Sequence, residues 1–125
     1  MIATVQIPID STLDAAADRL GAAMGVLWFL PEETGRFEEV PAYVAQFNEM
    51  EFVLFGIPEG EDGDVFLLEM FARSELPLDE VRNSSLPFVA EFLSNKERNE
   101  RGFFDYSVEL AKALAAVGIP ASDAQ

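Results

Sequence analysis

Apolar and polar residues follow two different periods along the chain, and the changes between them mark the elements. Thr4 to Ile9 (TVQIPI) is rich in β-formers and predicts a first strand. In DSTLDAAADRLGAAMG, Leu13, Ala16, Ala17, Leu20 and Met24 share one face at helical spacing, with Asp14, Asp18 and Arg19 on the other. Ser11 or Asp10 is placed to cap this helix, Asp14 completes a capping-box-like start, and Gly25 is placed to end it. Val26 to Leu30 (VLWFL) reads as a short buried strand with Trp28 in the core, stopped by PEETG.

The stretch RFEEVPAYVAQFNEM is two-sided. Phe37, Val40, Val44 and Phe47 fall at helical spacing, but Pro41 inside a helix would cost about 3 kcal/mol. A helix starting at Pro41 satisfies that objection. We favour a strand over roughly residues 40–47, with Pro41 on an edge and a turn at Asn48-Glu49. EFVLFGIP and DVFLLEMFA predict two further strands, apolar on successive rather than alternate residues, as in strands covered on both faces. Helices cover one face; the other calls for a second layer, a long loop or another chain. Asp62-Gly63 between them suits a type I′ hairpin turn.

Past RSELP the period becomes helical. LDEVRNSSLPFVAEFLSN predicts two short pieces, the second capped by Ser85 with Pro87 near its start and Phe88, Val89, Phe92 and Leu93 facing inward. GFFDYSVELAKALAAVGIP predicts a final helix with Phe103, Tyr106, Leu110, Ala113, Leu114 and Val117 on one face, stopped by Gly118 and Pro120. Residues 119–125 are expected to fray. With no repeat and no linker, residues 1–125 read as one α+β domain: an N-terminal strand and helix, an antiparallel β-meander, and C-terminal helices packed on the sheet.

Composition narrows the chemistry. Half of the 125 residues are hydrophobic, enough for a substantial core. Without cysteine the chain has no disulfide, thiolate metal site or cysteine nucleophile; without histidine it lacks the commonest general base and metal ligand. No nucleophile elbow, P-loop or dinucleotide fingerprint is present, so we expect no catalysis and no cofactor. No stretch reaches the length of a membrane span and MIATVQIPID lacks a signal pattern, which predicts a soluble cytoplasmic protein with no membrane partner.

Net charge is −15, unevenly placed: 18 carboxylates and 4 cations in residues 1–95, against 5 and 4 in residues 96–125. Such an excess repels phosphate backbones, disfavouring nucleic acid, and attracts basic partners. The carboxylates concentrate in FGIPEGEDGDVF (Glu59, Glu61, Asp62, Asp64) and PEETGRFEE (Glu32, Glu33, Glu38, Glu39). An EF-hand reading with Gly63 at position 6 puts Pro58 at position 1 and Gly60 at position 3, so no calcium or other metal site is expected. A hairpin turn explains one Asp beside Gly but not four carboxylates. The excess is either solvation or a surface for Arg and Lys of a basic protein, with Phe37 and Trp28 as candidate anchors beside it. The basic run NKERNER (Lys96, Arg98, Arg101) could meet a phosphate or a second copy; a solvated connection between helices is the simpler reading.

The layout STLDAAADRLGAAMGVLWF, then PAYVAQFNEMEFVLFGIPEGEDGDVFLLEM, then SVELAKALAAVGI resembles small immunity proteins of bacterial polymorphic and contact-dependent toxin systems. The likeness covers most of the chain and lies in pattern, with no diagnostic motif. It implies an inhibitor that neutralises a cognate toxin by binding it, and a further strand after the last helix, for which PASDAQ has no pattern. A different reading is a homo-oligomeric structural or regulatory domain, in which a homodimer covers the spare apolar face; a DNA-mimic protein is a third.

Overall fold

A computed structural model of the chain describes residues 1–25, 28–32, 40–58, 60–72 and 78–124, with only the backbone of Leu78. The order is β1 (Ile2–Pro8), α1 (Leu13–Ala23), β2 (Leu30–Glu32), β3 (Ala42–Phe47), β4 (Met50–Phe55), β5 (Val65–Ala72), α2 (Leu78–Ser84), α3 (Pro87–Ala90), α4 (Ser107–Ala116) and β6 (Ser122–Asp123). The strands form one antiparallel sheet in the order β2-β3-β4-β5-β1-β6. The expected α+β class and the C-terminal helices on the sheet are what the chain adopts.

Register decides which side chains meet. Ala3, Val5 and Ile7 of β1, Phe66, Leu68 and Met70 of β5, and Met50, Phe52 and Leu54 of β4 point inward, since residues two apart share a face. They pack in one cluster with Ala16, Ala17, Leu20 and Met24 of α1 and Leu110, Ala111 and Leu114 of α4. The helices therefore lie on one face of the sheet. On the other, Ala42 and Val53 are buried in a small second cluster with Val44 and Phe55, but Phe71 is 51% exposed. Among the described residues, full burial on this second face, expected from the unbroken apolar runs, is confined to Ala42 of β3 and Val53 of β4.

Local details depart from expectation for identifiable reasons. Thr12, not Ser11 or Asp10, caps α1: its backbone is extended and its Oγ1 accepts the Ala15 N–H at 3.1 Å. Gly25, at φ +95°, ends that helix as expected. The strand expected over 26–30 begins instead at Leu30; Val26 and Leu27 lie outside the described residues, and Trp28 is 77% exposed rather than in the core. β3 forms over Ala42–Phe47 as the favoured strand reading expected, with Pro41 standing just before it rather than within it. The turn at Asn48-Glu49 is present, with Asn48 at φ +53°. Ser85 does not cap α3; its hydroxyl donates back to the Val81 carbonyl. The final helix starts only at Ser107, leaving Phe103 exposed outside it, and Val117 is exposed too.

The C-terminal segment does not fray over 119–124. Ile119 is buried, Ser122 and Asp123 pair with Gln6 and Val5, and the Ala124 N–H donates to the Thr4 carbonyl at 3.1 Å.

Candidate functional site

Pro8, Val65, Phe55, Ala42 and Glu32 stand at one end of the sheet, as the strand registers require. The β4–β5 loop and the approach to α1 emerge at this end, and they carry Glu61, Asp62, Asp64 and Asp10. The loop is held by its backbone. Gly56 N–H donates to the Pro41 carbonyl at 2.8 Å, and Ile9 N–H donates to the Asp64 carbonyl at 3.0 Å, extending the β1–β5 ladder. The chain turns at residues 58–61, where Glu61 N–H donates to the Pro58 carbonyl and Gly60 takes φ +81°. The expected type I′ turn at Asp62-Gly63 does not form, because neither residue has the positive φ that it needs. Instead Ile57 folds over Gly63 so closely that a Cβ there would lie 2.5 Å from its Cδ1.

This packing leaves the carboxylates outside. Glu61, Asp62 and Asp64 are exposed, and among the described residues their side chains make no hydrogen bond or ion pair. Asp10 pairs with Arg19 at 3.2 Å, and Asp14 accepts the Tyr43 hydroxyl at 3.0 Å. Glu32 ends β2 at the same end of the sheet and has interactions of its own. Glu33, Phe37, Glu38, Glu39 and Glu59 lie outside the described residues. Among the described residues, no three Asp or Glu side chains converge where a metal could sit.

The basic run is not simply solvated. Lys96 donates to the Glu109 carboxylate and, at 2.6 Å, to the Asp105 carbonyl, with its ammonium 4.6 Å from the centre of the Tyr106 ring. Arg98 donates to the Gly102 carbonyl at 2.7 Å and covers the Phe104 ring. These cations brace the connection into α4. Burial first, then the Glu109 carboxylate, pushes the Tyr106 hydroxyl above its ordinary range, and the hydroxyl donates to the Ser94 carbonyl at 2.7 Å.

Trp28, offered by the sequence as an anchor though expected in the core, is 77% exposed, and Leu30, which sequence reasoning did not single out, is 65% exposed beside it at the start of β2. Sequence reasoning also missed a surface beside β1. A cleft of about 560 Å³ opens beside β1, lined by Ile2, Thr4, Asn99, Glu100, Arg101, Asp105 and Ala124. The outward-facing Glu69 between Leu67 and Phe71 was the legible sign that this side of β5 meets water. No family model, curated protein or solved structure matches the chain. Among the described residues, no helix is long and apolar enough to cross a membrane.

Proposed function

We propose that the protein is a non-catalytic acidic binding protein of the cytoplasm, an immunity-type inhibitor that neutralises a cognate basic toxin by direct binding. The observation that carries this reading is the end of the sheet where Glu61, Asp62 and Asp64 are exposed on a loop tied by its backbone, without side-chain partners among the described residues. Charges that serve the fold are paired within it, as Asp10 and Lys96 are here; exposed carboxylates with no partner among the described residues are available to a partner's Arg and Lys. Exposed ion pairs are each worth only about 0–1 kcal/mol, so these carboxylates act mainly on encounter rate. Trp28 and Leu30 supply apolar area of the kind that sets dissociation. The strand β6 after α4 also agrees with the layout of the immunity proteins that the sequence resembles.

The test uses the product of the neighbouring reading frame as the candidate partner. Neutralising Glu59, Glu61, Asp62 and Asp64 to their amides should slow association about tenfold at low salt and flatten its salt dependence, with the fold intact. The reading fails if that neighbour is no toxin, or if the neutralised protein associates at the wild-type rate.

A further inference from the structure

The helices cover one face of the sheet; on the other, Glu69 and Phe71 of β5 are exposed, and Leu67 of β5 and Ile2, Thr4 and Gln6 of β1 are half-buried. Outward side chains there are Leu67, Glu69 and Phe71 of β5, opposite Gln6, Thr4 and Ile2 of β1. Phe71 is 51% exposed on an interior strand, a large apolar surface whose burial against a partner would be favourable. Ile2 and Thr4 direct their backbone bonds to the opposite edge, toward residues 104–107 and Ala124. They thus form the close, non-hydrogen-bonded kind of pair with Phe71 and Glu69. The same two residues line the 560 Å³ cleft walled by Asn99, Glu100 and Arg101. Sheet face and cleft therefore adjoin along Ile2 and Thr4 as one groove-like surface, with Glu69 on the sheet side and Glu100, Arg101 and Asp105 on the cleft side. Glu69 and Glu100 are exposed, with no side-chain partner among the described residues.

Resting on the reading that the partner is basic, we infer that this groove docks a basic segment of that partner. An apolar side chain covers Phe71 and Ile2, and a Lys or Arg reaches Glu69 and Glu100. Charge selects this occupant over a second copy: two chains of −15 would bring like-charged grooves together, whereas a cationic segment offsets the carboxylates.

The probe is a fluorescent synthetic peptide of alternating Leu and Lys, titrated against the full chain by anisotropy. Wild type should bind it, more weakly as salt rises. Phe71→Ser and Glu69→Lys, both at exposed positions and checked for folding by circular dichroism, should each weaken binding about tenfold. Undiminished affinity in both variants would overturn the groove while leaving a basic partner in place. Equal binding of a Leu and Glu peptide would overturn the basic occupant and the functional reading with it. No binding by wild type overturns the groove, as does a sedimentation mass that doubles with concentration and reverts in Phe71→Ser, which puts a second copy there.

Discussion

Ser107→Ala tests how the last helix is spliced to the sheet. On the far edge of β1, Ile2 N–H donates to the Phe104 carbonyl and Tyr106 N–H to the Ile2 carbonyl; farther along, Gln6 pairs with Ser122. Between them the chain departs into α4, and no backbone carbonyl serves Thr4 N–H. The Ser107 hydroxyl fills that gap: it accepts Thr4 N–H at 2.8 Å and donates to Asp105 Oδ1 at 2.6 Å, while itself buried. Alanine leaves the half-buried Thr4 N–H without its acceptor, at up to about 1–3 kcal/mol, the range for a fully buried donor. Asp105 loses less, because it is half-buried and its Oδ1 keeps the Ser107 N–H at 2.9 Å. The expected total is about 2–3 kcal/mol, a large share of the ~5–15 kcal/mol by which domains are stable. For a chain of this size that lowers Tm by about 10 °C. The assay is thermal and urea unfolding followed by far-ultraviolet circular dichroism, since the exposed Trp28 is a poor reporter of core packing. Ser122→Ala, on exposed β6, is the comparison and should stay within about 0.5 kcal/mol of wild type. If Ser107→Ala melts within 2 °C of wild type (roughly 0.5 kcal/mol on the same scale), the hydroxyl does not hold β1 to α4 and the splice is refuted.

Two further outcomes follow from side-chain environments. Because Tyr106 ionises above the ordinary tyrosine value of about 10, its contribution to stability is complete below that pH and is lost as pH rises through the folded-state value. Wild type should therefore lose stability more steeply than Tyr106→Phe above about pH 10, and spectrophotometric titration should show a late phenol step missing from the variant; identical profiles would contradict the burial. Trp28 should emit at the long-wavelength limit of water-exposed indole and be quenched by acrylamide like free tryptophan, whereas a blue-shifted native emission would mean that another surface covers it.

The secure elements were legible where local chemistry and period agree. The apolar stripe of α1 and the runs of β4 and β5 announce themselves, whereas Pro41 argues against a helix through residues 37–47 but not against one that starts at it, so the spacing of Val44 and Phe47 left β3 open. Within the acidic segments, sequence identified the residues but not the turn. Ile57 packing on Gly63 moves the reversal to residues 58–61, a contact that turn propensity does not contain.

Composition and pattern by themselves determined the α+β class, the missing thiol and imidazole chemistry, and the acidic surplus in residues 1–95. These depend on residue type and near-neighbour spacing alone. Tertiary structure decided the rest, because exposure is a property of what lies across a strand or beyond its end. Trp28 has the apolarity of a core residue yet sits where no layer covers it. Phe71 resembles Phe66 in type, but five positions apart on a strand they face opposite sides, and the helices cover only one. The tail SD has little strand propensity; it pairs because α4 returns the chain to the open edge of β1, where Thr4 and Gln6 still have backbone groups to satisfy.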